Sequence, residues 1–231
     1  MSSQDALAQI YQEISRAGLV PRGALRLADD EREGSLADVA TIVLAGTCGG
    51  EGWSAFANSA ERQDGRSDPL DRWSRRIIDQ LAVARGAKAL YPFGGPPYLP
   101  FQRWAMRAEP VEVSPLGMLI HPEYGLWHSY RGALGFVETF PIPEIQRRAC
   151  PCDTCLARPC LSACPVGAFT NAGYNVDSCA SHLLSEQGQA CMNGGCLARR
   201  ACPAGAEYRQ GEDQARFHMK AFLAARIGAM G

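Results

Sequence analysis

Eight of the ten cysteines in this chain fall between Cys152 and Cys202. Four of them form the run Cys152-x2-Cys155-x4-Cys160-x3-Cys164, which closes in Pro165. A second set comprises Cys179, Cys191, Cys196 and Cys202, and Pro203 follows its last member. Thiols at this density serve metal or redox chemistry. Paired Cys-x2-Cys ligands suit a four-thiolate zinc site, which would need only half of these residues. Three features favour iron–sulfur cubes over zinc. The first run is tightly packed, the Cys-Pro ending recurs, and the small residues Ala163, Gly167 and Ala168 leave room for a bulky group. The spacers are wide, with four residues between the second and third cysteines of the run where two are usual. The second set is looser still, with four residues between Cys191 and Cys196 and five before Cys202.

A second concentration of functional side chains lies in SPLGMLIHPEYGLWHSYRGALGF, residues 114–136. It holds His121, Tyr124, Trp127, His128 and Arg131 among glycines and prolines. Packing accounts for many such residues, yet His and Tyr are also the usual proton donors. Tyr98, His121, Tyr124 and His128 are therefore the candidates for a catalytic acid. Neither a Ser-His-Asp order nor a His-x-x-x-His metal pair is present.

The elements that must position these residues can be read from periodicity. Leu7, Ile10, Tyr11 and Ile14 share one face of a helix that Gly18 ends. A strand is expected from Gly23 to Leu27, and the apolar run Val39–Ala45 reads as a buried strand. The glycine-rich loop after it, residues 46–52, matches neither common phosphate cradle and reads as a turn. Asp68-Pro69-Leu70-Asp71 starts a second helix with a cap, a first-position proline and a favourable charge. Trp73, Ile77, Leu81 and Ala84 form its apolar face, and Gly86 stops it. Strands are expected at 87–91, 116–120 and 127–137. Pro141-Ile142-Pro143 reads as a linker. Residues 212–230 read as a closing helix with Met219, Phe222, Leu223 and Ile227 on one side. Alternating helix and strand before residue 140 indicates a mixed α/β or α+β layer domain.

Composition narrows the setting. A net charge of −1 gives no basic footprint for nucleic acid. No run approaches the roughly 18 apolar residues of a membrane span. The first residues show no basic stretch followed by an apolar one, so no secretory signal is expected. Ten cysteines without an export signal fit a reducing compartment, and the cytoplasm is the expected location.

Two four-cysteine sets, each closing in Cys-Pro, resemble the two-cluster bacterial ferredoxin module, in which the fourth cysteine of each run ligates the other cluster. His121-Pro122-x-x-Gly125-x-Trp127-x-x-x-Arg131-Gly132 resembles the His-Pro-x-x-Gly-x-Trp segment of the CblC family of cobalamin-processing proteins. Tyr91-Pro92 and Ser114-Pro115-Leu116-Gly117 fit the same region of that family. Taken together, the chain resembles the epoxyqueuosine reductase family, which joins a CblC-like cobalamin domain to a two-cluster ferredoxin module. Cys179-Ala180-Ser181-His182-Leu183-Leu184 stands where that family places a cysteine and a helical segment between its two cysteine runs.

The resemblance implies an α+β protein. A flavin-reductase-like, CblC-like mixed-sheet domain would span residues 1–143, a ferredoxin-like [4Fe-4S] domain 144–209, and a docking helix 210–231. It implies that Cys152, Cys155, Cys160 and Cys202 hold one cluster and that Cys164, Cys179, Cys191 and Cys196 hold the other. Cys48 and Cys150 are left over, and Cys150 is near enough to replace a neighbour. His121, Pro122, Gly125, Trp127 and Arg131 would bind cobalamin. The implied function is relay of electrons from a flavodoxin or ferredoxin-type donor to cobalamin, as a corrinoid-dependent reductase or a cobalamin reductase or decyanase. The alternatives are a cobalamin carrier and a ferredoxin-type carrier without corrinoid. Nucleic acid is not an expected partner, because the body is not basic and that family's helical-repeat, tRNA-binding extension does not follow the cysteine module here.

Overall fold

The computed structural model describes residues 3–146, 148–170 and 172–229, and their fold is a mixed α+β one. The chain divides into two compact units, residues 1–110 with 128–147 and residues 111–127 with 148–231.

The first unit is built on a four-stranded antiparallel sheet in the order β1-β2-β6-β3. Its strands are β1 (Val20–Arg26), β2 (Thr41–Cys48), β3 (Lys88–Leu90) and β6 (His128–Phe136). At the centre of β2, Ile42, Val43, Leu44 and Ala45 are all fully buried. Alternation is absent because both faces of the sheet are covered, which is why the sequence there is continuously apolar. Helix α1 (Ser3–Arg16) buries Leu7, Ile10 and Ile14 as its periodicity requires, and it packs on β1. Two short helices, α2 (Trp53–Ala57) and α3 (Ala60–Gln63), precede α4 (Pro69–Arg85), which lies against β6 and β3. Helix α5 (Phe101–Ala108) lies against β1.

Details of α4 differ from the sequence reading. Asp68 adopts a left-handed conformation, φ 50°, and its side chain makes no capping hydrogen bond. The buried stripe is Trp73, Ser74, Ile77, Ile78, Leu81 and Ala82, while Ala84 is exposed. Pairs four residues apart keep to one face of a 3.6-residue helix, and position 84 has rotated away from it. Gly86 ends the helix as expected, with φ 60° and its N–H on the carbonyls of Ala82 and Val83. Gly46 marks a bulge where β2 and β6 approach closely; a Cβ there would stand 1.8 Å from the Ser129 carbonyl oxygen.

The second unit has little sheet. Two-residue ladders join β4 (Glu112–Val113) to β5 (Leu119–Ile120) and β7 (Phe169–Thr170) to β8 (Gly173–Tyr174). Helices α6 (Pro159–Ser162), α7 (Val176–Leu184), α8 (Gln189–Gly194), α9 (Leu197–Arg200) and α10 (Glu212–Ala229) make up the rest. Its core joins Leu116, Ile120, Leu126 and Ala198 to Cys150, Cys160 and Cys202. The closing helix α10 packs on α8 and α7, with Gln214 and Ala215 its most deeply buried residues. Met219, Phe222 and Leu223 are half-buried, and the side chain of Ile227 lies outside the described residues.

The unit boundary therefore departs from the expected division at residue 143. Residues 111–127 belong with the cysteines, because the turn at Gly125 is pressed on the loop after Cys202. Gly125 has φ 55°, and a Cβ on it would stand 1.9 Å from the Ala204 carbonyl oxygen. A Cβ on Gly205 would meet the Tyr124 backbone at 2.3 Å. Two glycines thus allow two backbones to touch. Among the described residues no helix is long and apolar enough to cross a membrane.

Candidate functional site

All ten cysteines are free thiols. The structure sorts eight of them into the two expected sets, both inside the second unit. Cys152, Cys155, Cys160 and Cys202 line one cavity, of about 320 Å³, together with Ile120, Pro151 and Pro203. Helix α6 starts at Pro159 and thereby places Cys160 in its first turn, while Cys202 follows the end of α9. Burial raises the Cys160 thiol, and Cys202 and Cys155 add like-charge repulsion. Cys152 is pushed up to about 12 by burial and by Cys150, to which it is also hydrogen-bonded. Cys150, left over in the sequence, is thus a buried neighbour of Cys152, although the cavity wall is formed by the other four.

The second set draws on three helices. Asn175 caps α7 by accepting from the Ser178 N–H at 3.0 Å, and Cys179 sits in that first turn. Cys191 lies in α8, Cys196 caps α9, and Cys164 follows α6. Burial raises Cys179, and Cys164 and Cys191 repel its charged form. Burial likewise raises Cys196, with Cys191 and Cys179 as its charged neighbours. Donors already face these sulfurs. The Ala168 N–H reaches Cys164 Sγ at 3.3 Å, the Tyr174 hydroxyl donates to Cys179, and the Arg199 and Ala198 N–H groups reach Cys196.

In both sets, then, thiols are buried beside one another and held protonated, a state that a bound cationic centre relieves by displacing the protons. Sulfur-only donors supported by N–H groups fit the ligand chemistry of iron–sulfur centres. Among the described residues no three His, Cys, Asp or Glu side chains are arranged to hold one metal ion.

The residues expected to bind a corrinoid are dispersed. His121, Pro122, Gly125 and Trp127 fall in the second unit and Arg131 in the first. His121 is buried, and its Nδ1 accepts the N–H groups of Glu123 and Tyr124 at 3.1 and 3.2 Å. Its backbone exchanges two 2.9 Å hydrogen bonds with Gly125, so His-Pro-x-x-Gly forms a tight turn closed by its own imidazole. The Trp127 ring carries the Arg199 guanidinium at 4.3 Å, and its buried Nε1 has no acceptor among the described residues. Arg131 pairs with Asp71 and donates to Ser74 Oγ at 3.0 Å. Tyr98 is exposed.

The first unit also holds a buried polar group that sequence reasoning missed. Arg22 is fully buried and donates to Glu109 Oε2 from Nε at 3.0 Å and from Nη2 at 2.8 Å. It also contacts Cys48 Sγ, and its Nη2 lies 3.2 Å from His128 Nδ1. The Tyr130 hydroxyl donates to the same Glu109 oxygen at 2.6 Å. Burial pushes the Cys48 thiol up to about 11 despite the adjacent guanidinium, so Cys48 is a packed, protonated thiol. No sequence signal announces this group, because Arg22 and Glu109 are 87 residues apart.

No protein-family model and no curated protein matches the chain. Solved structures do. A selenomethionine-labelled epoxyqueuosine reductase superposes with a TM-score of 0.55 at 14% identity, over 93% of this chain and 69% of that one. The enzyme from Bacillus subtilis gives 0.53 at 14% identity, over 90% and 67%. That from Streptococcus thermophilus gives 0.51 at 15%, over 87% and 66%. The chain has the epoxyqueuosine reductase fold. It spans about two thirds of the length of these structures, and the shared fold runs through both of its units.

Proposed function

We propose that this chain is an iron–sulfur oxidoreductase whose eight clustered cysteines hold two [4Fe-4S] centres. The observation that carries the reading is the sorting of those cysteines into two mutually close sets, each mixing residues from both ends of the cysteine segment. Interleaving of this kind is the signature of two-cluster ferredoxin modules. When bound, the clusters supply one-electron transfer, and a corrinoid partner supplies a strongly reducing centre. The protein's own part is to hold each sulfur as a thiolate, to aim N–H and O–H donors at it, and to exclude water from the cavity around Cys160 and Cys202.

The electron donor in this reading is a flavodoxin or ferredoxin-type protein, and the acceptor is cobalamin. The corrinoid part is supported by the likeness in sequence and in fold. The five residues expected to contact it lend no support of their own, since their clearest contacts are internal, and no step is assigned to them. Whether cobalamin would be cofactor or cargo is decided by turnover, because release of free reduced cobalamin marks a carrier. The test is an anaerobic titration of the reconstituted protein with cob(II)alamin, followed by its visible spectrum. A saturable shift to the base-off form is expected; an unchanged spectrum overturns the corrinoid reading and leaves a ferredoxin-type electron carrier.

A further inference from the structure

The second cysteine set has a neighbour that the first set lacks. Arg199 is three residues beyond Cys196, on α9. Its guanidinium lies over the Trp127 ring at 4.3 Å, and Nε and Nη2 donate to the Leu126 carbonyl at 3.1 and 2.6 Å. These contacts fix the group, yet a neutral ring and a carbonyl carry no net negative charge. Among the described residues no carboxylate pairs with Arg199. Burial accordingly depresses the guanidinium to about 10, and the charge that acts against this is that of Cys196. A buried cation without a counter-ion is costly and is retained where an anion completes it.

The first set is served differently. Its Cys160 accepts backbone N–H groups of Cys160 and Leu161, and Cys202 accepts that of Ala204. The cations near it, Arg158 in the cavity wall and Arg209 beside Cys202, are both exposed. Water and salt screen an exposed charge far more than a buried one. The second set thus has comparable N–H donors, the Tyr174 hydroxyl, and in addition the one guanidinium that solvent does not weaken.

We infer that Arg199, clamped between Trp127 and Leu126, is the counter-charge of the centre held by Cys164, Cys179, Cys191 and Cys196. It thereby holds that centre's reduction potential above that of the centre held by Cys152, Cys155, Cys160 and Cys202. The inference rests on the two-cluster reading above. A positive charge beside a thiolate-ligated cluster stabilises the state with one more electron, so the potential rises. One electron leaves the first centre and one arrives at the second, with no proton and no bond change. The electron itself enters from an external one-electron donor. Arg199 acts through the cluster's surroundings and is a tuning residue, not a ligand.

The experiment is an anaerobic redox titration of the reconstituted full chain, followed by electron paramagnetic resonance, for the wild type, Arg199→Gln and Arg199→Lys. Cys155→Ser and Cys191→Ser backgrounds isolate the second and the first centre respectively. Arg199→Gln should lower the midpoint of the second centre enough to change electron partition at least tenfold, about 59 mV for one electron. The first centre should not move. Arg199→Lys keeps the charge and should retain more than half of the wild-type position. Unmoved midpoints in Arg199→Gln, equal shifts in both centres, or a Lys variant that falls as far as Gln would each overturn the inference. If Arg199→Gln does not load the second centre, the Lys variant decides by the same criterion. A protein that binds no iron fails the two-cluster reading itself, whereas two loaded centres with unmoved midpoints fail only the role of Arg199.

Discussion

The two units solve the same problem with different materials. The first closes on hydrocarbon: a central strand buried on both faces, flanked by helices with apolar stripes. The second has two-residue ladders, short helices and a core in which Cys150, Cys160 and Cys202 stand among a few aliphatic side chains. A core of that size supports a fold poorly unless something else ties it together, and bound metal is the usual tie in small domains. The comparison teaches that in this protein the redox chemistry and the stability of the second unit are one property, while the first unit stands apart from both.

The largest expected effect breaks the comparison directly. Chelation of the iron should collapse hydrogen-exchange protection in α7, α8 and α9, while amides of Ile42, Val43 and Leu44 keep theirs. Loss of protection in both units together would contradict the contrast. Next in size is Arg22→Met, which leaves the Glu109 carboxylate without its buried partner. A loss of about 3–5 kcal/mol is expected in denaturant unfolding of the first unit, with iron content unchanged. Gly125→Ala should act on the other side. Its left-handed backbone and the 1.9 Å approach to Ala204 predict a loss of about 1–3 kcal/mol in the second unit, with weaker retention of iron.

The smallest effect sharpens the contrast between the two kinds of thiol. Cys48→Ser should leave iron and visible absorbance unchanged, where Cys155→Ser removes one centre. Because the Cys48 pKa is raised, the folded protein keeps a proton that the unfolded chain loses. Its contribution is therefore complete below the ordinary value of 9.0 and is lost as pH rises towards about 11. Thermal melts of wild type and Cys48→Ser between those values should converge as the wild type loses this advantage.

Much of the first unit was legible because its signals are local. The apolar face of α1, the run Val39–Ala45 and the stop at Gly86 each depend on residues a few positions apart. The two cysteine sets were legible through resemblance, and the structure sorts them in the same way. What was not legible depends on distant partners. The segment 111–127 reads as part of the first domain until the Gly125 turn is seen against Ala204 and Gly205. The His-Pro-x-x-Gly pattern looks like a ligand site in sequence, and in the structure its imidazole closes its own turn. Arg199 had a faint signal, a basic residue one turn after Cys196, but its burial against Trp127 spans most of the second unit. Asp68 failed as a cap because its side chain leaves the helix N–H groups untouched.

The central claim is that two four-cysteine sets each hold a cube. It is tested most directly by counting iron and acid-labile sulfide in anaerobically reconstituted wild type, Cys155→Ser and Cys191→Ser. About eight irons with matching sulfide are expected in the wild type, and about four in each variant. Zinc in place of iron, or four irons in the wild type that only one of the two variants removes, would contradict it.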